Sequence, residues 1–83
     1  METKITFEEY LRKENLSENT ITSYLWTVNY FNANYYVVSK ENLLAYKGHL
    51  MEFFKPKTVN LRIQAINKYL EYLEEQHLQL KAV

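Results

Sequence analysis

Residues Lys55–Leu73, KPKTVNLRIQAINKYLEYL, decide the fold. Val59, Ile63, Ile66, Leu70 and Leu73 recur at alternating intervals of four and three residues, which winds one apolar stripe along a helix. The opposite face carries Asn60, Gln64, Asn67 and Lys68, with Glu71 and Glu75 further on. Lys55, Lys57, Arg62 and Lys68 all precede the first acid, Glu71. One side of this helix builds a core. The other offers amides and cations at its start and acids at its end.

Working outward, three further helices are expected. Thr6 and Glu9 form a capping box ahead of a first helix, Phe7 to about Lys13, with Phe7, Tyr10 and Leu11 as its apolar face. Glu14-Asn15-Leu16 is a joint, in which Asn15 tolerates a left-handed conformation. Ser17 caps a second helix, about Glu18 to Asn32, with Ile21, Leu25, Val28 and Asn32 as its stripe and Tyr24 and Phe31 on the flank. Trp26 and Tyr30 fall on its polar side, and the plain expectation is that the first helix folds over them. Residues 34–38, NYYVV, break the helical period and read as a packed loop. Ser39 caps a third helix, about Lys40 to Phe53, in which Gly48 suggests the close approach of a neighbouring helix. Lys47 sits on its apolar edge, where its stem can snorkel. Lys55-Pro56-Lys57 is the joint to the fourth helix, about Thr58 to Gln76. Residues 77–83 lose amphipathic clarity and read as a frayed end or the start of a linker.

Composition agrees with a small all-α fold, a compact bundle of four helices in two helix-joint-helix units. Eighty-three residues allow one domain. A single glycine and a single proline leave too few turn residues for a many-stranded sheet. The two units show a weak repeat. Ser17–Phe31 and Lys55–Tyr69 both read T-[IV]-x3-[LI]-x2-[VI]-x2-[FY]. No cysteine is present, so disulfides and thiolate metal sites are excluded. His49 and His77 have no ligand-like spacing, and no metal or cofactor is expected. No apolar run approaches the roughly 20 residues of a membrane span, and the N-terminus lacks a signal-peptide core. A soluble, cytoplasmic, monomeric chain is expected.

The formal net charge is zero, but its distribution is uneven. Phe53 to Leu70 holds cations and no acids, whereas Glu71, Glu74 and Glu75 form an acidic end that reads as a solvated face. No catalytic constellation is visible, and one glycine cannot make a phosphate loop. Binding remains. Lys55, Lys57, Thr58, Asn60, Arg62, Gln64 and Lys68 gather at and after a helix N-terminus, which suits phosphate. Lysines supply salt-dependent attraction, and Asn or Gln can read adenine edges in a major groove. Arg62, on the flank of the stripe, can instead pin helix to helix.

Three stretches together carry a resemblance: FEEYLRKENLSENTITSYLWTVNYF, SKENLLAYKGHL and KPKTVNLRIQAINKYLEYL. They look like the N-terminal core-binding domain of phage-type integrases, the tyrosine recombinases. Ser17, Thr20, Ile21 and Tyr24 fill the family's S-x-x-T-[IV]-x-x-Y element. Thr58, Val59, Arg62, Ile63, Ala65, Ile66 and Tyr69 fill its T-[IV]-x-x-R-[LI]-x-A-[IL] element, with the aromatic that follows. The resemblance implies a SAM-like four-helix domain that clamps duplex DNA at a recombination site, in a bacterial or phage-encoded mobile element. It implies DNA-contacting roles for Ser17, Thr20, Tyr24, Thr58 and Arg62. Helical geometry adds Asn19, Ser23, Lys55, Lys57, Asn60, Gln64 and Lys68. It also implies that strand cleavage belongs to a separate C-terminal catalytic domain. Residues 1–76 would then be the binding domain, 77–83 would begin a linker, and this chain would bind double-stranded DNA without being an enzyme. The rival expectation is a helical protein-interaction module using Trp26, Tyr30, Leu61 and Tyr72. A helix-turn-helix regulator is a weaker third, since the fourth helix is long for a recognition helix.

Overall fold

The computed structural model describes residues 5–83, so the first four residues of the expected 1–76 domain lie outside it. Its helices are α1 (Phe7–Lys13), α2 (Glu18–Tyr35), α3 (Lys40–Phe53) and α4 (Pro56–Tyr72), followed by a short 3-10 turn, Gln76–Leu78. The chain is an all-α four-helix bundle, with no strand among the described residues. No helix among them is long and apolar enough to cross a membrane.

Caps explain where the helices start. Thr6 and Glu9 make the reciprocal pair of a capping box, at 2.9 and 3.1 Å. Ser17 accepts from the Thr20 amide and Ser39 from the Asn42 amide, each at 3.2 Å. Helix α4 begins two residues earlier than expected, because Pro56 takes its first position, where a missing N–H costs nothing. Asn15 adopts φ 60°, the left-handed conformation expected of it.

Helix ends depart further from expectation. Helix α2 runs on to Tyr35, three residues past Asn32. The reason is tertiary: Tyr35 stacks on Phe31 at 5.2 Å and both rings meet Tyr46 of α3. Tyr36 then makes a γ-turn at φ 62°, with the Val37 amide donating to the Tyr35 carbonyl. Asn42 closes the corner by donating to the carbonyls of Tyr35 and Val37. Helix α4 ends at Tyr72, not Gln76. A Schellman arrangement stops it: the Glu75 amide reaches the Leu70 carbonyl and the Glu74 amide that of Glu71, with Glu74 at φ 61°.

The longest helices, α2 and α4, form the most extensive contact of the bundle. They run parallel: Ser23 and Thr27 meet Arg62 near their starts, and Asn32 meets Tyr69 further along. Their registers agree with the sequence repeat, since Ser17 and Lys55 are both N-caps. Ile21, Val28, Val59 and Ile66 are all buried. Leu43, Tyr46 and Leu50 close the core from α3, and Phe7 and Leu11 from α1. Gly48 is exposed, with nothing within 4 Å of where a Cβ would sit. The close helix approach expected there is absent, because Gly48 lies on the outer side of α3.

Residues 79–83 are docked. They lie in extended form against α3 and α4, with Leu80 only 6% exposed. Asn67 and Asn60 hold their main chain, and Lys47 donates to the Lys81 carbonyl at 2.6 Å. The segment read as a frayed end therefore forms part of the packed body.

Candidate nucleic-acid interface

The first turns of α2 and the outer face of α4 converge on an open groove of about 220 Å³. Its lining is Asn19, Thr20, Ser23 and Tyr24 from α2, with Leu61 and Gln64 from α4. Five of these six are residues expected from the sequence to face DNA, and the sixth, Leu61, belongs to the rival protein-interaction patch. Parallel packing of α2 and α4 also brings two helix N-termini to the same end of the molecule, where partial positive charge accumulates. Ser17 is exposed at the head of α2, and its hydroxyl donates to Thr20 Oγ1 at 2.9 Å. Lys55 and Lys57 are exposed at the head of α4 and make no ion pair among the described residues. Thr58 is half-buried beside them. Glu18, the acid nearest this end of α2, is neutralised by Arg12 at 2.5 Å, and that bond holds its carboxyl below the usual range.

Three of the residues expected to face DNA are engaged inside the molecule. Arg62 Nη1 donates to Thr27 Oγ1 at 3.0 Å and to Ser23 Oγ at 3.3 Å. Its guanidinium carbon lies 4.6 Å from the ring centre of Trp26. Arg62 is thus the pin between α2 and α4, and it orients Ser23 at the floor of the groove. Asn60 spends both ends of its amide on Val83. Lys68 bridges Glu14 at 3.0 Å and Glu71 at 3.3 Å, and the Glu14 bond raises its pKa.

Glu71 is correspondingly no free solvated acid. It also accepts from Tyr10 Oη at 2.7 Å, which lowers its own pKa and pushes Tyr10 up to about 12. This network ties α1 to α4. Around it, Phe7 meets Tyr69 edge-on at 5.1 Å, and Tyr72 donates to the Ile5 carbonyl.

Trp26 and Tyr30 are not covered by α1, contrary to expectation. Helix α1 is seven residues long and is used up on the far side, against Tyr69 and Tyr72. The two rings stack on each other at 5.6 Å, and Tyr30 continues onto His49 and Tyr46 of α3. Trp26 stays 52% exposed, its inner face covered by Arg62. A small cavity of about 60 Å³ lies among Trp26, Tyr30, Tyr46, His49, Phe54 and Arg62. Burial there pushes the Tyr46 hydroxyl up to about 12. No group of acids and histidines suited to a metal ion occurs among the described residues. Comparison with family models, curated proteins and solved structures finds no match.

Proposed function

We propose that this chain is a DNA-binding module that grips one face of a duplex, as the binding domains of site-specific tyrosine recombinases do. The observation that carries the reading is the groove between α2 and α4, in which Asn19, Thr20, Ser23 and Gln64 stand beside Tyr24 and Leu61, together with two lysines without acidic partners at the head of α4. Two parallel helix N-termini suit phosphate oxygens. In this reading Lys55 and Lys57 neutralise phosphates, while Ser17, Asn19, Thr20 and Thr58 bond the sugar-phosphate backbone. Gln64 and Tyr24 reach towards base edges. Arg62 holds α2 and α4 at the spacing the groove needs and leaves direct contact to its neighbours. The zero net charge is no obstacle, because Glu14, Glu18 and Glu71 are paired within the fold. Any strand cleavage would belong to another domain.

The test is a titration with duplex DNA followed by amide chemical shifts. Shifts confined to residues 17–24 and 55–64, shrinking as salt rises, are expected. Absence of shifts at low salt would reject the reading. The exposed Trp26–Tyr30 stack beside its cavity favours a second reading, a protein-interaction module. Shifts centred on Trp26 with a protein partner, and none with DNA, would select it.

A further inference from the structure

Residues 79–83 form a strap whose main chain is read by two asparagines. Asn67 Nδ2 donates to the Leu80 carbonyl at 2.9 Å, and its Oδ1 accepts from the Leu80 amide at 2.8 Å. Asn60 treats Val83 the same way, at 3.2 and 2.8 Å. The strap therefore runs antiparallel to α4. The spacing has a geometric basis. Seven residues of helix separate the asparagines, about 10.5 Å of rise. Three residues of polyproline-II chain span about 9.3 Å. Gln79, at φ −57° and ψ 144°, has that conformation. The polar contacts at Leu80, Lys81 and Val83 all go to main-chain atoms, and only Leu80 is buried. Such a clamp accepts any copy of the segment equally well.

The hinge before the strap conflicts with its own sequence. Leu73-Glu74-Glu75-Gln76 is a run of good helix formers that continues the period of α4. In the structure the helix instead breaks at Tyr72, and Glu74 takes φ 61°, a conformation that favours glycine. Straightening the hinge into helix would relieve that residue and carry the strap away from its own groove.

We propose that the α3/α4 groove also binds the strap of a second copy, so that two chains exchange residues 79–83 as α4 lengthens. A reciprocal exchange keeps every strap contact and removes two left-handed glutamates. The closed form competes through an effective concentration on the order of millimolar, so exchange grows with protein concentration.

Opposite substitutions at the exposed Glu74 test this in the full chain. Glu74→Gly favours the closed turn and Glu74→Ala the open helix. The dimerisation constant from sedimentation equilibrium should be at least about tenfold higher for Glu74→Ala. A mixture adds a second readout. One chain carries Asn60→Ala and Asn67→Ala, with an intact strap; the other carries Leu80→Asp, with an intact clamp. Dimers should form in the mixture and in neither chain alone, with the Asn60 and Asn67 side-chain signals of the second chain shifted. Equal dimerisation of the two Glu74 variants, or a mixture that stays monomeric while both chains remain helical, would overturn the proposal.

Discussion

Arg62 shows how one residue can be read two ways until its neighbours are known. From the helix period it lies on the flank of the α4 stripe, within reach of solvent or of another helix. In the fold it bonds Ser23 and the fully buried Thr27, whose hydroxyl in turn donates to the Ser23 carbonyl. Lysine lacks the planar guanidinium that lies over the Trp26 ring while Nη1 reaches both hydroxyls. Arg62→Lys should cost about 1–3 kcal/mol in urea denaturation, because the Thr27 hydroxyl loses its donor in a dry site. Backbone conformation gives the opposite sign elsewhere. Tyr36 is 81% exposed at φ 62°, so Tyr36→Gly sheds strain without losing packing. Gly48 has open space where a methyl would sit. Tyr36→Gly and Gly48→Ala should each raise stability by about 0.5–1 kcal/mol, measured in the same way.

At the scale of elements, α1 is too short to be stable alone and depends on its seat on α4. Phe7 and Leu11 supply the burial. Tyr10, Glu71, Lys68 and Glu14 supply the polar tie. Its pH dependence follows from the direction of each shift. Glu71 is lowered, so its contribution is present above about pH 4.3 and fades as pH falls through its folded value. Lys68 is raised, so its contribution is present below about pH 10.4 and fades as pH rises through its folded value. Tyr10, held protonated up to about 12, adds to the alkaline loss. Glu71→Gln should therefore destabilise most between about pH 5 and pH 10, and converge with the parent chain in acid and in strong alkali. The Glu71 side chain is 40% exposed, and solvent screening limits the difference to about 0.5–1 kcal/mol. Urea midpoints across pH measure it.

At the scale of the whole molecule, zero net charge divides into paired and unpaired parts. Arg12 and Lys68 are consumed by Glu8, Glu14, Glu18 and Glu71, while Lys55 and Lys57 stand clear at the head of α4. If this end meets phosphate, affinity must be strongly salt-dependent although the chain is neutral. Replacing both lysines by alanine should reduce the slope of log affinity against log salt by about 2, and weaken binding to all duplex sequences alike. Lys68→Ala should leave that slope nearly unchanged and lower stability instead. Fluorescence titrations at several salt concentrations distinguish the two.

The sequence by itself determined the local decisions. Apolar periodicity, Thr6, Ser17 and Ser39 as caps, and Asn15 as a left-handed joint produced four helices and most of the core. The groove was legible in part: Asn19, Ser23 and Gln64 follow from which helix faces remain polar, whereas Thr20 and Tyr24 were implied only by the family resemblance. Only the tertiary structure decided which polar side chains stay free. Asn60 and Gln64 both read as solvent-facing amides, yet Asn60 is bound by a strap 23 residues downstream. Trp26 read as covered by α1, yet Arg62 covers it and α1 lies elsewhere. Helix α4 read through to Gln76, yet stops at Tyr72. The physical reason is common to the first two. Periodicity reports which face a residue occupies, whereas hydrogen bonds and ring contacts depend on which distant segment reaches that face.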